Sequence, residues 1–435
     1  MSLLGALFSA LVSWWPWSDP RAEQYNSITT SGNATETIAG TGEDERINIA
    51  GAVRARDTGT NVIDMGDGQD TLNIFGRVES DGNGCNDISL GEGSSRLSIT
   101  GPVQAFDKGN NNISAGSGKD VVTITGGLKA CGSATNDINL GDGENILSIS
   151  LGLASYDSAT NIITTGDDND MISISLGLYS EFENSINAGE GDNCITTWGG
   201  LNANGGTNSI LCGDGNDTVS IWGVTKAAAG GENHVETGGG NDVISLHNNI
   251  GAGALLIDAG IGDDMLVLNG SRASLFNTAY EGWLTDYAST NGLQSMNIET
   301  IEVTLTRTAG ISDLQWLSDL AADAKIDLQL NIDGNGRSLN LGNFFETGDD
   351  VFSVLSMEGG VRNTLSINGS LSDNHYDGKE LFILGDNNDT VKISSEWEQM
   401  YTTQEVGNPY QNYYVFGDSD GDKLLIHHNI SVITM

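Results

Sequence analysis

One turn motif governs what this chain can become. A Gly-x-Gly-x-Asp-like turn recurs ten times, with first glycines at Gly40, Gly66, Gly91, Gly116, Gly141, Gly166, Gly189, Gly213, Gly238 and Gly260. The successive spacings are 26, 25, 25, 25, 25, 23, 24, 25 and 22. A period held near 25 marks one supersecondary unit repeated along an array. The flanks keep step with the turns. Three residues before the first glycine stand Ile63, Ile88, Ile113, Ile138, Ile163, Ile186, Ile210, Val235 and Ile257. Six and eight residues after it stand apolar pairs such as Leu72 and Ile74, or Val122 and Ile124. Alternation with a period of two is the pattern of a strand buried on one side. A shorter segment follows, as in Gly76-Arg77-Val78 and Gly126-Gly127-Leu128. Each repeat thus predicts two firm strands and one weaker one. A single repeat cannot bury its apolar side, whereas stacked repeats place each Ile over the next in a continuous column. The expected fold is all-β, a right-handed parallel β-solenoid with coils of about 25 residues stacked at about 4.8 Å, its hand following from crossover chirality.

A second column supports that register. Asn61, Asn86, Asn111, Asn136, Asn161, Asn184, Asn208 and Asn233 stand five residues before the first glycine in eight successive coils. Stacked amides can hydrogen-bond along a ladder and can also satisfy backbone groups at a bend. This column reads as structural.

Charge limits the partners. The chain carries 59 acidic and 18 basic residues, a formal net charge of −41. Such a chain repels nucleic acids and anionic membranes and attracts cations. Acidic chains are often disordered, but 38% of these residues are hydrophobic and they recur in register. The four cysteines, Cys85, Cys131, Cys194 and Cys212, form no Cys-x-x-Cys pair and suggest neither a zinc site nor a disulfide framework. Residues 1–17 are apolar and end in Trp14, Trp15 and Trp17, with no basic residue before Arg21. That lacks the charged start of a secretory signal and is too short to span a membrane; a helix capping the solenoid is expected.

The turns themselves carry a family resemblance. Gly66-Asp67-Gly68-Gln69-Asp70-Thr71-Leu72 is similar to the nonapeptide of the repeats-in-toxin (RTX) calcium-binding family, Gly-Gly-x-Gly-x-Asp-x-apolar-x, with Met65 in place of the first glycine. Gly213-Asp214-Gly215-Asn216-Asp217, Gly238-Gly239-Gly240-Asn241-Asp242 and Gly260-Ile261-Gly262-Asp263-Asp264 are further copies. The resemblance implies that glycines bend the chain and present carbonyls, while the Asp carboxylate meets Ca²⁺ between one coil and the next. Calcium takes hard oxygen ligands of that kind. The chain departs from the family in having one such turn per 25-residue coil. At the Asp position stand Asp44, Asp70, Ser95, Asp120, Asn145, Asp170, Asn193, Asp217, Asp242 and Asp264. Acid and neutral residues alternate in the middle. The strongest sites are therefore expected at Asp217–Asp242 and Asp242–Asp264, then at Asp44–Asp70, with weak sites between. Two carboxylates about 4.8 Å apart repel by roughly 1 kcal/mol even in water, and a bound cation reverses that sign.

Beyond residue 270 the regular array is expected to stop. Residues 273–290 and 311–323 have helical spacing, and 296–303 reads as a strand between them. The turn returns once as Gly385-Asp386-Asn387-Asn388-Asp389, making Asp389 a further candidate ligand. The tip at 418–422 reads as a hairpin turn. The resulting division is a cap over 1–35, calcium-binding repeats over 36–270, a mixed helix and strand insert over 271–330, and a second β-roll-like region over 331–435. The last region resembles the export-signal end of type I secreted family members. The resemblance thus implies an extracellular or cell-surface protein with calcium ions as cofactor, exported by a type I secretion apparatus, without a transmembrane segment.

No Ser-His-Asp, His-Glu-x-x-His or nucleophile-elbow pattern occurs, so a non-enzymatic structural or adhesive role is expected, with a cell-surface glycan or other surface component as partner. The competing class is a β-helix polysaccharide lyase or epimerase acting on acidic glycans, which needs a basic residue to abstract a proton. Only Arg54, Arg56 and Arg77 fall close together in the repeat.

Overall fold

The computed structural model describes residues 22–247, 254–270, 293–296, 300–305, 327–332, 338–340, 352–357, 362–367, 380–402, 410, 412–419 and 421–435. Every regular element among them is a strand, and the protein is a parallel β-solenoid. The chain divides into two compact units, one of residues 1–199 with 203–213 and the other of 200–202 with 214–435.

In the first unit each coil contributes three strands. One coil supplies Thr71–Ile74, Val78–Ser80 and Cys85–Ser89; the next supplies Arg96–Ile99, Val103–Ala105 and Asn110–Ser114. Each strand pairs in parallel with its equivalent 25 residues away, Leu72 opposite Leu97 and Leu97 opposite Val122. The alternation read from the sequence becomes burial: Leu72 and Ile74 are buried while Thr71 and Asn73 lie outward. Hydrophobic columns fill the interior, so each coil completes the core of its neighbour.

Two boundaries differ from expectation. The solenoid begins before residue 36. Glu23–Tyr25, Ile28–Thr30 and Thr35–Thr41 pair in parallel with Arg46–Ile49, Val53–Ala55 and Thr60–Gly66, which makes them a full coil. Residues 1–17, read as a capping helix, lie outside the described residues. The first turn is also shifted by one residue. Ile38 pairs with Ile63 and Ile47 with Leu72, which places Thr41 opposite Gly66 and Gly40 opposite Met65. Burial of the flanking strands sets this register, and a one-residue slip would turn every apolar side chain outward.

Close stacking makes particular glycines indispensable. Gly91 has φ +71°, and a Cβ there would land on the carbonyl oxygen of Gly66 in the coil below. Gly91→Ala should therefore cost about 3 kcal/mol or more, combining left-handed strain with a backbone clash. A denaturant midpoint within error of the parent would contradict this stacking.

The asparagine column is a buried hydrogen-bond ladder. Each side-chain Nδ2 donates to the Oδ1 of the next asparagine, from Asn61 through Asn86, Asn111, Asn136, Asn161 and Asn184 to Asn208, at 2.7 to 2.9 Å. The second amide hydrogen reaches a carbonyl of the bend, as in Asn111 to Gln104 O at 2.7 Å and Asn161 to Ala154 O at 2.9 Å.

In the second unit the parallel sheet passes straight through the expected insert. It runs from Thr218–Ile221 through Val243–Leu246, Met265–Gly270, Thr300–Leu305, Asp327–Ile332, Phe352–Ser356 and Glu380–Leu384 to Lys423–His427. The strand predicted over 296–303 is two strands. Leu293–Met296 pairs with Ala254–Asp258, and Thr300–Leu305 pairs with Met265–Gly270. The helices predicted at 273–290 and 311–323 lie outside the described residues. Toward the end of the chain, Glu398–Tyr401, Tyr413–Gly417 and Lys423–His427 form antiparallel pairs. The 418–422 tip is a hairpin turn in which Asp422 N donates to Asp418 Oδ1 at 2.9 Å.

Candidate functional site

The aspartates of the turns do not point into solvent. Asp70, Asp120, Asp170, Asp217, Asp242 and Asp264 are each no more than 3% exposed. Local reasons come first. The turn glycine frees the backbone to double back, and the residue four positions on is the first inward position before the strand. Its side chain then reaches along the solenoid axis to the coil before it. Asp70 Oδ1 accepts the Glu45 N–H at 2.7 Å, Asp120 Oδ1 the Ser95 N–H at 2.7 Å, and Asp170 Oδ1 the Asn145 N–H at 2.7 Å. The neutral coils repeat the act: Ser95 Oγ, Asn145 Oδ1 and Asn193 Oδ1 accept from Asp70, Asp120 and Asp170, each at 3.0 Å. In the second unit Asp242 Oδ1 accepts the Asp217 N–H and Asp264 Oδ1 the Asp242 N–H, both at 2.8 Å. The column is a ladder of backbone caps.

A second ladder runs beside it in the opposite direction. The residue just before the buried one caps the coil that follows, as in Asp44 Oδ1 to Gln69 N at 2.9 Å, Asn169 Oδ1 to Asp192 N at 2.8 Å and Asn216 Oδ1 to Asn241 N at 2.8 Å. Asp44 therefore belongs to this outer, exposed column, and Glu45 holds the buried position in the first turn. The expected Asp44–Asp70 pair is not formed by equivalent residues. The extra residue in the first spacing, 26 instead of 25, was the available signal. No single residue type marks the outer column in the sequence, because Asp, Gln, Ser, Lys, Glu and Asn all occupy it.

What distinguishes an acid rung from an amide rung is the second atom of the side chain. Asn145 Nδ2 donates to Gly141 O at 2.9 Å and Thr165 O at 3.0 Å; Asn193 Nδ2 donates to Gly191 O at 2.9 Å. At an aspartate that atom is an oxygen. Oδ2 of Asp70, Asp120 and Asp242 is buried and has no hydrogen-bond partner, while the Thr165 and Asn145 side chains stand close enough to Asp170 to relieve its carboxylate in part. A buried carboxylate oxygen without a donor is costly, and either a proton or a cation relieves it. Burial pushes Asp70 and Asp120 up to about 6 and Asp170 up to about 7.

The remaining candidates separate cleanly. Gly213, Gly238 and Gly260 open their turns and Gly215, Gly240 and Gly262 sit two residues on; a Cβ on Gly240 or Gly262 would strike the Gly215 or Gly240 carbonyl. The turns stack by direct backbone bonds, with Gly240 N donating to Ile261 O at 2.8 Å. Asp214 lies exposed on the outer turn, paired by a parallel bridge with Gly239. Asp389 is spent on hydrogen bonds. Its Oδ1 accepts the Asn363 N–H and its Oδ2 the Asp386 N–H, both at 2.9 Å, so it caps a turn. Among the described residues no three Asp, Glu, His or Cys side chains converge to hold a metal. A cation on this ladder would thus rest on one or two carboxylates and on backbone oxygen.

Arg54, Arg56 and Arg77 converge on one acid. Their guanidinium nitrogens lie 3.6, 3.9 and 2.9 Å from Glu79. The grouping gathers round one carboxylate on the outer side of the Val53–Ala55 and Val78–Ser80 strands and keeps a surplus of positive charge. All four cysteines are free thiols, and no helix among the described residues is long and apolar enough to cross a membrane. No family model, no curated protein and no solved structure matches this chain.

Proposed function

We propose that this chain is a calcium-binding repeat protein, secreted or held at a cell surface, with a structural or adhesive role and no catalytic one. The reading rests on the run Asp217, Asp242 and Asp264. From Asp70 to Asp170 in the first unit the acid rungs are separated by Ser95 and Asn145, which keeps those like charges apart, and only Glu45 stands directly beside an acid, Asp70. In this run three acids follow one another in adjacent coils, each buried, and Oδ2 of Asp242 lacks a donor. Stacked carboxylates with that little solvent repel strongly, and a divalent cation bound by hard oxygen reverses the sign. Asp217, Asp242 and Asp264 would hold it; when bound, the cation supplies charge neutralisation between coils. The rest of the repeat supports a scaffold: one ladder of amides, one apolar interior and a net charge of −41 that favours solubility over nucleic-acid or membrane contact.

Calorimetric titration with calcium tests this, over the range of about 10⁻⁴ to 10⁻³ M in which extracellular modules bind. Asp242→Asn should remove most binding at the two sites it shares with Asp217 and Asp264. Asp120→Asn, whose neighbours in the ladder are Ser95 and Asn145, should change stoichiometry little. Equal losses in the two variants would falsify coil-to-coil pairing of carboxylates, and no calcium uptake by the parent would leave a plain solenoid.

A further inference from the structure

The first turn of the solenoid holds an acid pair that lies outside the Asp217 to Asp264 run. Pairing of Arg46 with Thr71 sets Glu45 beside Asp70 in adjacent coils, and the Glu45 N–H donates to Asp70 Oδ1 at 2.7 Å. That bond fixes the Asp70 side chain, which is 1% exposed, and leaves its Oδ2 buried with no donor. The Glu45 side chain is held by its own turn. Its Oε1 accepts the Thr41 hydroxyl, and its Oε2 is likewise buried with no donor. The two carboxylates stand within hydrogen-bonding reach of each other, and when ionised both offer only lone pairs. Such a contact is repulsive until a proton or a cation enters it. Asp120 and Asp170 have Ser95, Asn145 and Asn193 as neighbours, so no other rung of this unit sets acid against acid.

Backbone oxygen adds to the cradle. Gly68 has φ +140°, and a Cβ there would lie 2.6 Å from the Glu43 carbonyl oxygen and 3.3 Å from Asp70 Oδ1. The glycine therefore keeps open the space between that carbonyl and the buried carboxylate. The charges acting on Asp70 are those of Glu45 and Asp44, both acids, so the local field attracts a cation.

We propose that Glu45 and Asp70, with the Glu43 carbonyl beside them, bind one hard divalent cation that fastens the first turn of the solenoid to the second. This rests on the premise behind the reading of Asp217, Asp242 and Asp264, that a hard cation neutralises stacked carboxylates, but it adds a separate site in the other unit. The turn of residues 40–45 has one stacked neighbour among the described residues, the turn of residues 66–70, so it gains most from an added link.

Calorimetric titration of the full chain with calcium at about pH 8, where these carboxyls are ionised, tests the site in the parent, Glu45→Gln, Asp242→Asn and the double variant. Glu45→Gln should remove one bound calcium, and should do so equally in the Asp242→Asn background, since the two sites share no residue. In chelator the Gln amide supplies the donor that Asp70 Oδ2 lacks, so the urea midpoint of this variant should lie above the parent's, the opposite of a structural lesion. Full calcium uptake by Glu45→Gln, with a loss in Asp242→Asn, overturns this site alone. A loss in Glu45→Gln with none in Asp242→Asn supports this site and removes the other. A parent that takes up no calcium overturns both. Should Glu45→Gln fail to fold, amide exchange in Asp242→Asn decides. Calcium at about ten times its dissociation constant should slow exchange of the Glu45 amide roughly tenfold, and an unchanged rate overturns the site.

Discussion

In chelator, this protein should lose stability as the pH rises from about 4 to about 7, the reverse of ordinary acid denaturation. Burial holds Asp70 and Asp120 at about 6 and Asp170 at about 7, against 3.8 for an unperturbed aspartate. Between those values the folded chain keeps protons that the unfolded chain has released. The contribution is complete below the unfolded value and disappears as the pH passes through the folded ones. Each pKa unit is about 1.4 kcal/mol, so three carboxyls together withdraw several kcal/mol from a stability of order 5–15 kcal/mol. The physical cause is the orphaned Oδ2. Protonated, it becomes a donor as the amide of Asn145 is to the Gly141 and Thr165 carbonyls; ionised, it is buried at Asp70 and Asp120 without a donor. Urea melts in chelator at about pH 5 and about pH 8 measure the effect. Asp120→Asn supplies the amide permanently, so its midpoint should rise at the higher pH and vary less between the two. Identical parent midpoints at both values would show that these carboxyls are not strained.

The asparagine ladder should be the least forgiving part of the interior. Asn111 accepts from Asn86 at 2.7 Å and donates to Gln104 O at 2.7 Å and Asn136 Oδ1 at 2.8 Å. Asn111→Leu removes all three bonds and leaves an amide hydrogen of Asn86, a backbone carbonyl and the Asn136 oxygen buried together. At about 1–3 kcal/mol for each of the three unsatisfied groups, the loss is roughly 3–9 kcal/mol, enough to unfold a marginal array. Asn111→Asp keeps the shape and should be as damaging, because its second oxygen would face two acceptors. Chemical denaturation of the two variants, with Asn112→Leu on the outward side of the same strand as a control, reads this directly. A Leu variant within about 1 kcal/mol of the parent would mean that the ladder contributes order without stability.

These outcomes divide what was legible in the sequence from what was not. The coil period, the inward columns at Ile63 and Leu72 and the amide ladder were all visible, because each depends on local alternation and on identical residues returning at one spacing. The calcium-like turns were visible as glycines and acids, but their geometry was not. Motif counting put Asp44 in the buried column, whereas the pairing of Ile38 with Ile63 and Ile47 with Leu72 puts Glu45 there. Asp389 matched the motif, but its bonds to the Asn363 and Asp386 N–H groups were not legible there. The Arg54, Arg56 and Arg77 group could be listed but not interpreted until Glu79 was seen between them.

By itself, then, the sequence determined that the chain is a stack of parallel coils, how long each coil is, and which residues fill its interior. Burial of a periodic apolar pattern has one solution at that spacing, and it needs no knowledge of the neighbouring coil beyond its likeness. Only the tertiary structure decided where the turn carboxylates point and what they bind. Their partners are backbone N–H groups about 25 residues away, such as Glu45 N for Asp70, and no local pattern encodes a partner at that distance. The same holds for the sheet that continues through Thr300–Leu305 and Asp327–Ile332, where the spacing lapses but the strands still find an open edge to extend.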